Sequence, residues 1–358
     1  HSLSGACPRA LLTLGRRRCA AVAADREHAS QSLTQALLWA DHLRRRDGEE
    51  VQSIALFVPR GTETTLALRL RWLKTDAALF AWDETAVEAP AGASNSGNLL
   101  RELAPWAAPP EADAGEPARW VHELRLEDNV EAVAAAPGEW SLRVHGLEFA
   151  RYREGALFYG VFQRRRAKSV DPVRRLAREL ARVRCAGSPE PRHEWRLAMP
   201  EAWLESVLRQ RLDLIDPLLL PEPVYSQAGA VEGTRRGVMD LLALRRDGRL
   251  TVIEIKAAAD PELPLQALDY WIRVAHHAAQ GDFVRRGYFR GLSVDPRPPR
   301  LVLAAPALEF HPTTETLLGF FHPEVEVERV GLGVEWQQRP RVVLRAHGSA
   351  RPEWDGLD

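Results

Sequence analysis

Two apolar runs, VMDLLAL at 238–244 and LTVIEI at 250–255, flank the polar turn RRDG, whose glycine sits in a position typical of hairpins. A β-hairpin is what these residues most strongly demand. Side chains alternate along a strand, so Glu254 and Lys256 fall on one face of the second run and Ile253 and Ile255 on the other. Asp240 stands at the entrance of the first run, across the hairpin. Charges inside a Val/Ile-rich strand are costly to bury unless they compensate one another, so the fold must supply partners.

The elements around the hairpin have a definite order. PEAWLESVLRQRLDLI reads as a helix, with Pro200 near its first turn and Trp203, Leu204, Val207, Leu208 and Leu212 apolar. EPVYSQ is a short strand. After the hairpin, LPLQALDYWIRVAHHAA is a helix with the apolar line Leu265, Leu268, Ile272, Ala275. PRLVLAAP, TETLLGFF and VEVERVGLGVEW then read as strand, short helix and one or two strands. The order α-β-β-β-α-β describes an α/β central sheet flanked by helices. Residues 199–358 contain that whole layer and are expected to fold alone.

The earlier part divides at two breaks in composition. Residues 1–87 hold SQSLTQALLWADHLRR (helix), VQSIALFVP (strand), TETTLALRLRWL (helix) and DAALFAW (strand), a separate α/β domain. Residues 88–119, rich in Ala, Pro, Gly and Ser, read as a linker or long loop. In 120–185, WVHELRLEDN, EWSLRVHG and GALFYGVFQ read as antiparallel strands and DPVRRLARELARVR as a helix, the whole packed with 1–87. SPEPRHEWRLAM at 188–199 marks the boundary to the last domain.

Composition narrows the function classes. A chain of 358 residues with 45% hydrophobic and 27% charged residues can bury two or three cores. Its net charge of −1 provides no global field for a polyanion, so any such surface is local. Cys7, Cys19 and Cys185 are odd in number and far apart, which points to a reducing compartment without a disulfide framework or zinc cluster. The opening HSLSGACPRALLTLGRRRCAAVAAD is too broken by arginine for a signal peptide, and no apolar run approaches the ~18 residues of a membrane span. A cytoplasmic protein without a membrane partner is the expectation. P-loop, His-Glu-x-x-His and Gly-x-Ser-x-Gly motifs are absent. The adjacent His276 and His277 cannot ligate one metal from one helix face and are expected at the surface.

Asp240 followed by Glu254-x-Lys256 on adjacent strands, after a glutamate-bearing helix, resembles the restriction-endonuclease-like PD-(D/E)xK nuclease superfamily. The resemblance covers residues 199–358, with Met239 in place of the motif's proline. It implies a restriction-endonuclease-like mixed sheet and a metal-dependent nuclease that hydrolyses phosphodiester bonds in DNA, in repair, recombination or defence. Such hydrolysis brings water to a negatively charged phosphorus and must stabilise further charge as the 3′-oxygen leaves. Mg²⁺, with Mn²⁺ as a substitute, suits this, taking one or two carboxylates, waters and a phosphate oxygen. Asp240 and Glu254 would converge on the ion, and the resemblance adds the backbone carbonyl of Ile255. Lys256 would orient or help deprotonate the attacking water. A structural ion-pair network is the bland alternative for these three residues.

The same resemblance implies that Glu205 touches the metal through water; a solvated helix glutamate is the other reading, with Glu201 one turn earlier as competitor. Gln266 and Tyr270 resemble the Gln-x-x-x-Tyr element of some nuclease branches and share a helix face with Arg273 and His277. That face would orient Lys256 or contact a nucleotide, or be ordinary polar surface. Arg235 and Arg236, beside Asp240, would hold a scissile-strand phosphate. The stretch 163–184, with nine Arg/Lys and two acids, is either a solvated helix face or a phosphate-tracking surface. RRGYFRG at 285–291 hints at base stacking. DNA of open strandedness is the implied partner, a homodimer is compatible, and the alternative function is a non-catalytic nucleic-acid-binding protein that retains the nuclease fold.

Three pairs of stretches look alike. LTQALLWADHLRR is similar to LPLQALDYWIRVAHH, IALFVPRGTETTLALRL to LVLAAPALEFHPTTETLLGF, and GLEFARYREGALFYGVFQ to the hairpin GVMDLLALRRDGRLTVIEIK. A degenerate nuclease-like copy in the first half, able to bind or dimerise but not to cut, would account for this. So would chance likeness between similar elements.

Overall fold

Strands fall into three sheets in the computed structural model, which describes residues 7–89, 118–226 and 240–350 apart from positions 16, 47, 49 and 137. The first sheet runs β1 (Arg9–Leu14), β2 (Arg17–Ala23), β3 (Val51–Pro59), β4 (Asp76–Trp82), β5 (Val87–Glu88). Helix α1 (Ser32–Arg46) connects β2 to β3, and α2 (Glu63–Leu70) connects β3 to β4. After α3 (Arg119–Leu124) comes a wholly antiparallel sheet of β6 (Val130–Ala136), β7 (Glu139–Val144), β8 (Leu147–Arg153), β9 (Ala156–Tyr159) and β10 (Arg165–Arg166). Helices α4 (Asp171–Val183) and α5 (Glu194–Leu197) follow.

The last unit opens with α6 (Pro200–Gln210) and α7 (Leu212–Ile215). Its sheet is β11 (Tyr225–Ser226), β12 (Leu241–Leu244), β13 (Leu250–Ile255), β14 (Arg300–Pro306), β15 (Val327–Leu332) and β16 (Val342–His347), in that order. Helices α8 (Leu263–Ala279) and α9 (Asp282–Arg285) lie between β13 and β14, and α10 (Thr314–Leu318) lies between β14 and β15. The central pairs β13–β14 and β14–β15 are parallel. These strands are buried along almost their whole length because both faces of the sheet are covered. The chain is thus α/β, and no described helix is long and apolar enough to cross a membrane.

Each face of the last sheet has its own cover. Ile253, Ile255, Val302 and Ala304 pack under Trp203, Leu204 and Leu208 of α6. Val252, Leu301 and Leu303 pack under Leu268 and Trp271 of α8 and Leu317 of α10. That second core continues without a break into Leu37 of α1, Leu56 of β3 and Leu66 of α2. Residues 1–87 are therefore not a separate domain: the apolar stripes of α1 and α2 find their cover on α10 and α8. Trp72 meets Trp271 edge to face at 4.5 Å, and the buried Arg69 pairs with Asp269 at 2.8 Å. A fragment beginning at Met199 would leave this face open, which weighs against its folding alone.

The antiparallel unit does not share a core with 1–87 either. Its own core holds Val121, Leu142, Phe149, Leu157, Val173 and Leu180, with Trp195 packed against them. WVHELRLEDN, expected as a strand, holds α3, whose buried Val121 and Leu124 are three residues apart on one helix face. Most of the expected linker, 90–117, lies outside the described residues, as do Arg235 and Arg236.

Candidate active site

The β12–β13 hairpin turns at Gly248, whose φ of +84° suits glycine and whose N–H donates to the Arg245 carbonyl at 2.9 Å. Asp240 sits just before β12, and its Oδ2 accepts a hydrogen bond from the Ile255 N–H at 2.7 Å. Glu254 is 3% exposed, and its Oε2 has no hydrogen-bond partner among the described residues. Lys256 continues β13, donating its N–H to the Ala304 carbonyl at 3.0 Å, and its Nζ lies 3.9 Å from Glu201 Oε1. The two carboxylates and the amine therefore meet at the carboxyl end of a parallel strand, where open α/β sheets place their ligand sites.

Burial shapes the electrostatics. It pushes Asp240 up to about 6, opposed by the Ile255 N–H and the Lys256 charge. Burial and then the Asp240 charge hold Glu254 well above the usual carboxylate range. An orphaned buried oxygen beside a second carboxylate is a site short of positive charge.

Helix α6 brings two more carboxylates. Glu205 is buried rather than solvated, and its carboxyl is pushed up to about 7, first by burial and then by the Asp240 charge. Glu201, its competitor, is the one that approaches Lys256. The antiparallel unit holds α6 in place. At the β7–β8 turn, Gly146 (φ +76°) lies so close that a Cβ there would stand 1.9 Å from the Ala202 carbonyl oxygen. His145 stacks on Trp203 at 5.4 Å, the Arg184 guanidinium lies 4.6 Å from that indole, and Arg209 pairs with Glu131. Nothing in the spacing of the sequence marked this support.

On the other side, Gln266, Tyr270 and Arg273 of α8 face Arg26, Thr62 and Thr65 of the first half across a cleft of about 820 Å³. Tyr270 links cleft and carboxylates: burial first, then the charges of Glu254 and Asp240, hold its phenol above the usual range. His277 does not join this face as expected. It is buried in the last turn of α8, with its Nδ1 2.7 Å from Asp282 Oδ2. Tyr288 and Phe289 are likewise not stacking platforms but buried partners of Tyr225. In the basic stretch, Arg174 and Arg178 pair with Glu127, Arg182 with Glu190, and Arg184 donates to the carbonyls of Trp195, Ala198 and His145. Much of that charge is engaged within its own unit.

Among the described residues, no three His, Cys, Asp or Glu side chains gather as a ready-made metal cage. Asp240 and Glu254 nevertheless fit Mg²⁺, which dehydrates reluctantly and binds through one or two carboxylates plus substrate phosphate rather than an all-protein cage. No family model, curated protein or solved structure matches the chain.

Proposed function

We propose that the protein is a divalent-cation-dependent nuclease of the restriction-endonuclease-like class, hydrolysing phosphodiester bonds in DNA. One observation carries this reading: Asp240, Glu254 with an orphaned buried oxygen, and Lys256 meet at one strand end. A structural ion-pair network would have paired that oxygen.

Asp240 and Glu254, with the main chain of Ile255, would hold the cation, whose positive charge would offset that of the phosphate. Lys256 would donate to the attacking water or to a non-bridging phosphate oxygen, and Glu201 lies beside its ammonium. Hydrolysis adds hydroxyl to phosphorus and leaves the proton on the departing oxygen. Tyr270 and Gln266 border the route from the cleft, and Arg26 and Arg273 supply its positive charge.

A second reading is a protein that binds nucleic acid on this fold without turnover, because the charge of Arg26 and Arg273 in the cleft attracts a phosphate backbone with no cation bound. Incubation with linear, circular and single-stranded DNA in Mg²⁺, Mn²⁺ or EDTA separates the two. Cleavage that needs the cation is the expected result; binding without cleavage in any metal would select the second reading.

A further inference from the structure

We infer that residues 7–88 form a second, chemically silent copy of the unit bearing Asp240 and Glu254, joined to it about an internal two-fold, so that one chain carries one cutting centre and severs one DNA strand per encounter. The strand clause rests on the nuclease reading above; the relation between the copies does not.

The two mixed sheets share one plan. In β1-β2-β3-β4-β5 and in β12-β13-β14-β15-β16, successive pairs run antiparallel, parallel, parallel, antiparallel. Helices α1 and α8 occupy the first crossover, α2 and α10 the second. Registers agree as well. Ala23 pairs with Phe57 and Ile255 with Ala304, and the next N–H groups, of Ala24 and Lys256, donate to those partners' carbonyls at 2.9 and 3.0 Å. Pro59 and Pro306 each end the central strand, opposite Trp82 and Leu332. With Gln35 set against Gln266, the alternation of buried and half-buried residues is the same over 32–40 and 263–271.

Contacts between the copies are reciprocal. Helix α1 packs on α10 and α2 on α8, as a two-fold requires of equivalent elements. Near the axis Leu73 bridges Phe321. The Lys74 N–H donates to the Phe320 carbonyl at 2.9 Å, and the His322 N–H donates to the Trp72 carbonyl at 2.8 Å. Exchanging the copies exchanges these two bonds. The face that the catalytic unit could offer to a second chain is already filled by its own first half. Two of the three sequence likenesses, α1 with α8 and β3–α2 with β14–α10, follow this relation. The third does not: 146–163 forms β8 and β9 of the antiparallel unit, and the counterpart of the β12–β13 hairpin is β1–β2.

The chemistry is not duplicated. Ala10 pairs with Ala21 as Leu241 pairs with Ile253, which puts Arg9, Val22 and Ala24 where Asp240, Glu254 and Lys256 stand. Trp39 takes the place of Tyr270, and the Arg9 guanidinium lies 6.0 Å from the centre of its ring. A cation–π contact has replaced the phenol beside two carboxylates. One centre breaks one P–O bond, with hydroxyl going to phosphorus and the proton to the leaving oxygen. Cutting the opposite strand requires the particle to let go and bind again.

The test uses the full chain with negatively supercoiled plasmid and Mn²⁺ or Mg²⁺, together with its mass by sedimentation. Open circles accumulating ahead of linear product, from a particle with the 40.1 kDa mass of one chain, is the expected result. Linear product from the outset, refusal of closed circles while linear DNA is cut, or a two-chain particle would each overturn the inference. If no DNA is cut in any metal, the nuclease reading and the strand clause fall together, while the mass still decides whether the fused pair stands alone.

Discussion

The Asp240 carboxylate accepts a 2.7 Å hydrogen bond from the Ile255 N–H, so a side chain at the mouth of one strand is fixed against the strand that carries Glu254. Asparagine can keep that bond through its amide oxygen but loses the charge that a divalent cation needs. Asp240→Asn is expected to retain the native circular dichroism spectrum and to bind Mn²⁺ more weakly. An unchanged affinity in calorimetric titration would move the cation site elsewhere.

Stability without metal should fall as pH rises. Asp240 moves from 3.8 to about 6 and Glu205 from 4.5 to about 7 on folding, so the folded state holds these protons more tightly. Their contribution is fully present below about pH 4 and is lost as pH climbs through about 6 to 7. Removing the Asp240 charge relieves this, and Asp240→Asn should be more stable than the parent at pH 8 in EDTA, by about 1–3 kcal/mol. Thermal melts at pH 5 and pH 8 check it; a variant equally destabilised at both would show that the charge is not the cause.

Lys256→Ala removes the amine and leaves both carboxylates. Single-turnover cleavage should drop by ~10²-fold or more while DNA and Mn²⁺ affinities hold. Cleavage at the parent rate would end the assignment.

If the cleft between the two halves holds the substrate backbone, Arg26→Ala and Arg273→Ala, each in a Lys256→Ala background, should flatten the salt dependence of duplex binding. Each lost phosphate contact lowers the slope of log K against log salt by about 0.9. Slopes identical to the parent's would place the DNA path outside the cleft.

The fragment starting at Met199 should behave poorly, because Trp271, Leu268 and Leu317 lose the cover of α1 and α2. Strong binding of an apolar dye, aggregation or pairing of fragments is expected. A monomeric fragment with a sharp thermal transition would mean that the shared core contributes little.

Much of this was legible in the chain. VQSIALFVP and DAALFAW are β3 and β4 to the residue, because compact apolar runs bounded by polar turns leave little choice. The hairpin and its three charged residues were equally plain. The β1–β2 hairpin was not, since RCAAVA is rich in alanine, which has weak strand preference, and its arginines mask the alternation. Tyr288 and His277 looked exposed because their neighbours are arginine and histidine; only the fold shows that Tyr225 and Asp282 receive them. The reciprocal main-chain bonds between the halves lie in no local pattern, for they join residues more than 240 positions apart.

The paired main-chain bonds Lys74–Phe320 and His322–Trp72 join two halves of one polypeptide. Association across that seam is unimolecular, governed by the effective concentration that the intervening chain imposes rather than by abundance. Dilution cannot part the halves, and their one-to-one ratio is set at translation. A polar centre on one half can then be lost while its packing face is retained, because the partner is never a separate molecule that must also do chemistry.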